Sequence, residues 1–282
     1  MKLIVGVRSS LLLMAAALIP ACGGSGGMGS GEAPMAGTVE TAQKASPAAV
    51  AVDVATQAAN DAIVDSGSPG TTSAKSTVPS PTSISFQSTL SLTVDLAATD
   101  ASGQPRYPGA SGILHVVATG ILQSGAGRGS AAYAVSVTAA TGLSFTDPTS
   151  GDSATLLQGA VWNHSLNVDW TFVDVNNWSI TADSESSLSG LTFTAKHGME
   201  TIAGTVAGSR HVLATYGKTA GVSASSVSAT AEKTITFTDS TGPHTVTIQM
   251  AALDSITLTV DGTTYGTFTR AQVKVIFHLE CE

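Results

Sequence analysis

The fold of this chain is decided by the stretch Ser83-Ile84-Ser85-Phe86-Gln87-Ser88-Thr89-Leu90-Ser91-Leu92-Thr93-Val94-Asp95-Leu96. Its apolar residues fall on even positions and polar residues separate most of them. A two-residue period of this kind is typical of a strand with one buried face. The same alternation recurs along the chain as far as residue 277, and no long stretch of helical period interrupts it.

This pattern predicts an all-β domain over residues 83–280. Strands with one apolar and one polar face favour antiparallel pairing. A strong hairpin signal, Asp261-Gly262, stands between two alternating runs near the end. Both a sandwich and a meander that curls into a barrel-like shell are compatible with the pattern.

Several segments of the β domain resemble one another, which predicts an internal duplication. Residues 139–147 and 231–239 are similar at an offset of 92, and the same offset relates 165–169 to 257–261. Residues 115–119 match 211–215 at an offset of 96. The expected repeats are 83–178 and 179–280, and continuous patterning between them favours one shared core over two modules.

A short helix is predicted before the β domain, at residues 46–66. Ser46-Pro47 fits a helix start, with serine as the N-cap and proline in the first turn. An apolar stripe recurs every four residues and consists of Val50, Val54, Ala58 and Ala62. The flanking segments, 22–45 and 67–82, are rich in Gly, Ser, Ala and Pro, which predicts a disordered tether and a linker.

The amino terminus has the three parts of an export signal. Lys2 and Arg8 make it basic, residues 9–19 are uncharged and mostly apolar, and the run leads into Ile19-Pro20-Ala21-Cys22. These residues resemble the signal of bacterial lipoprotein precursors. The resemblance implies cleavage after Ala21, which makes 1–21 the signal peptide, and a lipid anchor on Cys22. Glycine after the cysteine implies, again by resemblance, an outer-membrane lipoprotein that faces the periplasm or the cell surface.

Two other interpretations of the cysteines stay open. An ordinary secretory signal would make Cys22 incidental. A disulfide between Cys22 and Cys281 would exclude lipidation. With the anchor in place, Cys281 has no partner cysteine, because the chain has only two.

Charge excludes one class of partner. The chain has 12 basic and 20 acidic residues, and cleavage after Ala21 would remove two basic residues and no acid. Nucleic-acid binding requires a basic footprint, and the basic residues here are scattered singly. We therefore expect no nucleic-acid partner.

The sequence contains only weak motifs for catalysis or metal binding. None of the six histidines has a second His or Cys at the spacing of a metal site. His164 and Asp169 are two members of a possible triad, but no G-x-S-x-G nucleophile signature accompanies them. Asp147 and Asp152 fit a plain turn better than a calcium loop. The sequence therefore predicts no catalytic residue, no metal ligand and no cofactor, and the chain is expected not to be an enzyme.

The tryptophans supply the one candidate ligand surface. Trp162, Trp170 and Trp178 are spaced by eight residues, so an extended segment can present them on one face. The leading expectation is a lipid-anchored envelope lipoprotein with a non-catalytic binding or structural module, whose protein or glycan partner is unknown. The alternatives are a polymer hydrolase, which requires a polar cleft with converging acids, and a carrier of lipid, which requires a large apolar concavity.

Overall fold

The computed structural model describes residues 36–66, 84–148, 150–252, 255–269 and 272–273. Antiparallel strands dominate them, which confirms the predicted all-β class. The elements are α1 (Ala36–Asp65), β1 (Ile84–Asp95), β2 (Ala110–Ser111), β3 (Ile113–Gly125), β4 (Arg128–Ala139), β5 (Leu143–Thr146), β6 (Ser153–Leu156), β7 (Val161–Asp174), β8 (Asn177–His197), β9 (Glu200–Thr219), β10 (Val222–Asp239), β11 (Gly242–Ala252), β12 (Ser255–Val260) and β13 (Thr263–Phe268).

All thirteen described strands belong to one open sheet. Its order is β1-β3-β4-β7-β8-β9-β10-β11-β12-β13, and β2, β5 and β6 form a side branch that joins β8. Neighbours in the sheet are mostly neighbours in sequence, so the chain forms a meander. Of the two predicted arrangements, the two-sheet sandwich is therefore wrong, because every described strand joins the same sheet.

Strand β8 is long because it has two partners on one side. Its first half pairs with β7 as far as Leu188, and its second half pairs with β6 from Phe193 onward. A bulge lies between Leu188 and Leu191, where one extra residue stands opposite β9. The extra residue reverses the alternation, so that apolar side chains continue on the same face of the sheet on both sides of the bulge.

Helix α1 is longer than the sequence pattern indicated. It begins at Ala36 rather than at Ser46, so residues 36–45 are helical and not part of a disordered tether. Pro47 lies inside the helix rather than in its first turn. Proline removes one helical hydrogen bond at a cost of roughly 3 kcal/mol. Burial of the alanines on both sides of Pro47 offsets this cost.

The face of the sheet that contacts α1 is here called the inner face, and the opposite face the outer face. The sheet curls around the helix, which contacts strands from both ends of the sheet order, including β1, β3, β8, β10 and β12. Small side chains allow this close approach. The helix residues that are buried in the core are Ala42, Ala45, Ala48, Ala49, Ala51, Val52, Ala55, Ala58, Ala59 and Ile63.

The predicted stripe is therefore only part of the buried surface of α1. Ala58 is fully buried, but Val50, Val54 and Ala62 are only half-buried. The four-residue stripe does not describe the buried surface of α1, because the curled sheet encloses several sides of the helix. A helix that is apolar on most sides is typical of a buried helix rather than of a surface helix.

Two hairpin turns show the backbone chemistry that such turns require. The predicted turn at Asp261-Gly262 is confirmed, and both of its residues have positive φ, 50° and 77°. Ala220 and Gly221 join β9 to β10 with φ of 49° and 83°. Two successive positive φ values match the right-handed twist of the strands that the turn connects.

Several sequence predictions lie outside the described residues. These are the signal peptide, Cys22, the tether up to residue 35, the 67–82 linker and Cys281. The internal duplication stays a prediction as well. Among the residues that the structure describes, no helix is both long enough and apolar enough to cross a membrane.

Candidate functional site

The sheet has two halves that meet at a row of polar residues, His164, Ser186 and Arg210, on the inner face. The helix half lies on the α1 side of this row. The helix-free half lies on the other side and consists of residues 119–134, 165–185 and 211–230. Its strands are the outer parts of three long hairpins, β3–β4, β7–β8 and β9–β10.

Apolar side chains line the inner face of the helix-free half. The register places them in three rows across β4, β7, β8, β9 and β10, and together they are called the apolar strip: Ala131, Val168, Ala182, Ala214 and Val227; Tyr133, Leu166, Val212 and Ala229; Trp170, Ile180 and Tyr216. Strand spacing and rise give the strip a size of about 20 Å by about 14 Å. Its buried members lie outside the core cluster that surrounds α1.

The three tryptophans of the predicted ligand surface occupy different environments. Trp162 is only 3% exposed and belongs to the core of the helix half. Trp170 lies in the apolar strip, where it covers Gly129 so closely that a Cβ there would collide with the indole ring. Trp178 is half-buried on the same face, opposite Phe172. Of the predicted surface, Trp170 and Trp178 remain as candidates for ligand contact.

The polar row has its own electrostatics. Burial lowers the pKa of His164, and the charge of Arg210 lowers it further. The imidazole is therefore neutral at pH 7. His164 cannot act with Asp169 as the sequence suggested, because five residues of an extended strand separate them and place their side chains on opposite faces of the sheet.

On the outer face, a cavity of about 950 Å³ lies behind the polar row. Two adjacent rows of outer-face side chains line most of it, including Ser136, Asn163, Glu185, His211 and Glu232. Most of these side chains are exposed and polar. Within the described ranges, no group of three His, Cys, Asp or Glu side chains is arranged to hold a metal ion.

The two histidines at matching positions of the predicted repeats lie on this outer face with different partners. His115 Nδ1 is 3.2 Å from Thr93 Oγ1. His211 Nε2 is 2.7 Å from Asp183 Oδ1, in an exposed ion pair. The two histidines therefore have different hydrogen-bond partners, and their matching positions do not form equivalent sites.

A charge cluster joins α1 to three hairpins, β8–β9, β10–β11 and β12–β13, at the far end of the helix half. Lys44, on α1, is 2.7 Å from Asp239 Oδ2 and 2.8 Å from Glu200 Oε2, and the Asp239 side chain is 1% exposed. His244 Nε2 is 3.1 Å from Asp239 Oδ1, and its Nδ1 is 2.7 Å from Asp261 Oδ2. Sequence reasoning missed this cluster, because turns bring its members together from four distant segments.

Thr241, His244 and Asp261 have the connectivity of a nucleophile–base–acid triad. Thr241 Oγ1 is 2.7 Å from His244 Nε2. The hydrogen bond to Asp261 raises the pKa of His244, and the charge of Asp239 raises it further. His244 Nε2 also lies 3.1 Å from Asp239 Oδ1, so both imidazole nitrogens face carboxylates and Nε2 is not available to the threonine alone. Thr241 also contacts Asp239 Oδ1 at 2.7 Å, so the geometry fits a structural clamp rather than a catalytic triad.

Burial lowers the pKa of Lys44, but its hydrogen bonds to Asp239 and Glu200 outweigh this effect and the pKa is raised. Burial raises the pKa of Asp239, but hydrogen bonds from Lys44 and Thr241 reverse the shift, and the pKa falls below its ordinary range. Both groups are therefore charged at neutral pH, and their pairing fixes α1 to the sheet.

Comparison with known proteins finds no similar protein. No protein-family model matches the chain, and neither a curated protein nor a solved structure is significantly similar to it.

Proposed function

We propose that this chain is a lipid-anchored lipoprotein of the cell envelope whose β domain binds an extended apolar chain, such as a lipid acyl chain, along the apolar strip. The lipobox-like residues before Cys22 support the anchor. The apolar strip supports the ligand class. We propose binding rather than catalysis, since Asp239 contacts both Thr241 Oγ1 and His244 Nε2 and holds them in the Lys44 cluster.

The observation that carries this proposal is an apolar inner face that continues beyond the reach of α1. Five members of the strip are buried and the other seven, including Tyr133, Trp170 and Tyr216, are half-buried, although they lie outside the core cluster that surrounds α1. A contiguous apolar surface that is only partly covered is a candidate ligand site. Such a surface suits a flexible hydrocarbon chain better than a compact polar ligand, because few polar groups are available to orient the latter.

The ligand proposal is tested with a fluorescent fatty acid. Ile180 lies on the inner face and Thr181, next to it on β8, on the outer face. We expect Ile180→Asp to weaken binding of the probe by at least about tenfold, because a charge in an apolar contact costs several kcal/mol. Thr181→Asp is the matched control and should change affinity less than about twofold. Failure of the wild type to bind the probe, or equal loss in both variants, would exclude the proposal.

The anchor is tested separately by intact mass and membrane fractionation. Wild-type chain expressed in a bacterium should gain the mass of acyl chains and sediment with membranes, and Cys22→Ala should lose both properties. Several acyl chains hold a protein stably, whereas one holds it only weakly. A wild type without acyl chains would overturn the anchor and would leave Cys22 as a candidate disulfide partner of Cys281.

A further inference from the structure

The distal end of the helix-free half exposes an unusual set of apolar side chains. Val173, Val175 and Val222 are 70–72% exposed, and Phe172 is 40% exposed. These four residues are called the apolar tip. Phe172 and Val173 lie at the end of β7, Val175 lies in the β7–β8 turn, and Val222 begins β10 directly after the β9–β10 turn.

Hydrogen bonds hold the turns of this end together as one surface. The amide of Gly221 donates to the carbonyl of Asn176 at 3.1 Å, and the amide of Ala220 donates to Asn177 Oδ1 at 3.0 Å. On the other side, the amide of Phe172 donates to the carbonyl of Gly127 in the β3–β4 turn at 2.6 Å. The apolar tip is therefore a preformed surface rather than a set of independent loops.

Strand preference favours valine and phenylalanine at Phe172, Val173 and Val222, but on half-buried surfaces rather than on exposed ones. Val175 lies in a turn, where Gly, Asn, Asp and Ser are favoured. The other end of the sheet follows the turn preference more closely: its turns include Ser240-Thr241 and Asp261-Gly262, and Met199 is the one large apolar side chain that is exposed among the described residues of these turns. The concentration of β-branched apolar residues at one end thus calls for a partner that accepts them.

The chemistry of this end resembles that of a surface that contacts a lipid bilayer. Trp178 and Tyr216 stand just behind the apolar tip, and amphipathic rings of this kind are enriched at the boundary between hydrocarbon and headgroups. Two basic residues lie at the same distance along the strands as these rings. Arg128 pairs with Thr171, and Lys218 pairs with Trp178. They suit contact with phosphate groups in a chain that is otherwise acidic.

Asp174 limits how deeply the tip can enter. Its side chain accepts hydrogen bonds from the Asn177 side chain and from the amide of Asn176, which lower its pKa. The carboxylate is therefore charged at neutral pH and must remain near the headgroups, because a charge in hydrocarbon is costly. The valines on both sides of it can reach only the outer part of the acyl region.

We infer that the apolar tip is a membrane-contact surface, which inserts shallowly into a bilayer and orients the β domain with this end toward the lipid. The inference is independent of the acyl anchor and of ligand binding on the apolar strip. Its occupant is the bilayer itself rather than a second copy of this chain or another protein.

The test uses the mature chain from residue 22 with Cys22→Ala, which keeps every described residue and carries no acyl chain. The measurement is cosedimentation with phosphatidylcholine vesicles, with and without phosphatidylglycerol. We expect the chain to bind both, and the double variant Val173→Asp/Val175→Asp to reduce the partition coefficient by at least about tenfold, since it removes two apolar contacts and adds two charges. Met199→Asp, at the opposite end, is the matched control and should leave partition unchanged.

A second double variant tests whether misfolding explains the loss of vesicle binding. Val173→Ser/Val175→Ser adds no charge, and both double variants should keep the circular dichroism spectrum and the fatty-acid affinity of the parent chain. Reduced partition by both double variants, with Met199→Asp unchanged, would support the inference. Absence of vesicle binding by the parent chain would overturn it, as would equal partition of all variants or self-association through the tip in place of lipid binding.

Discussion

The two halves of the sheet are built from the same long hairpins but bury their inner faces differently. In the helix half, α1 covers the face, and Phe193, Leu156 and Ile235 are fully buried. In the helix-free half, the apolar strip is only partly buried, and the valines of the apolar tip are 70–72% exposed. The comparison teaches that strand alternation specifies which face is apolar, whereas a separate element decides whether that face becomes core or remains available for a ligand.

The largest expected effect compares one phenylalanine from each half. Phe193→Ala should reduce the free energy of unfolding by about 3–5 kcal/mol, because it opens a cavity in a closed core. Phe172→Ala, at the tip, should cost less than about 1 kcal/mol. Chemical denaturation monitored by circular dichroism measures both values. Similar losses in the two variants would mean that the halves are equally well packed, and the comparison would fail.

The next effect concerns the attachment of α1. Lys44→Met should destabilise the protein by about 3 kcal/mol, because it leaves the buried carboxylate of Asp239 without its ammonium partner. Adding Asp239→Asn to Lys44→Met should recover part of this loss, since the amide carries no charge. A double-mutant cycle measured by urea unfolding gives the coupling energy. A coupling near zero would show that the pair does not hold the helix.

The same cluster predicts a pH dependence confined to the helix half. The pKa of His244 is raised, so its stabilisation is complete below the unfolded value of about 6.5 and is lost as pH rises through the raised pKa. The pKa values of Asp239 and Asp261 are lowered, so their stabilisation is present above about pH 4 and is lost as pH falls through the lowered values. The contribution of the cluster is therefore greatest between these limits.

Stability should accordingly decrease by roughly 1 kcal/mol from pH 6 to pH 9 in the wild type, because a hydrogen bond to a charged group is replaced by one to a neutral group. His244→Gln should remove this decrease, and His211→Gln on the outer face is the control that should retain it. Thermal unfolding across the pH range checks the prediction. A decrease that persists in His244→Gln would assign it to another group.

The smallest effect compares two turns with the same backbone conformation. Ala220 joins strands of the helix-free half at a positive φ that a Cβ disfavours, so Ala220→Gly should stabilise the protein by about 0.5–1 kcal/mol. Asp261 has nearly the same φ, but its carboxylate accepts hydrogen bonds from His244 and from the amide of Thr245. Asp261→Gly should therefore destabilise. Calorimetry that shows the same sign for both would contradict this distinction.

Much of the fold could be predicted because alternation is a local property. The strand that begins at Ile84, the antiparallel class and the Asp261-Gly262 turn all follow from residues that are adjacent in sequence. The bulge of β8 is also visible in the local sequence, because the step from Leu188 to Leu191 breaks the two-residue period of apolar residues. The start of α1 could not be predicted, because burial under the sheet overrides the preference of Pro47 for a helix start.

The candidate sites were harder to predict from the sequence than the fold was. Equal spacing grouped Trp162 with Trp170 and Trp178, but α1 covers only the first of them. The Lys44 cluster has no local signal, because its members are separated by up to 217 positions and meet only when the hairpins fold back onto the helix.

The sequence by itself determined the class of fold, the two faces of the strands and the Asp261-Gly262 turn, because each depends on the period or chemistry of a short segment. Only the tertiary structure decided that the strands share one open sheet, that an alanine-rich helix closes half of its inner face, and that the other half ends in exposed valines. Those features depend on which distant segments come into contact, and the free energy of that packing is not contained in any local pattern.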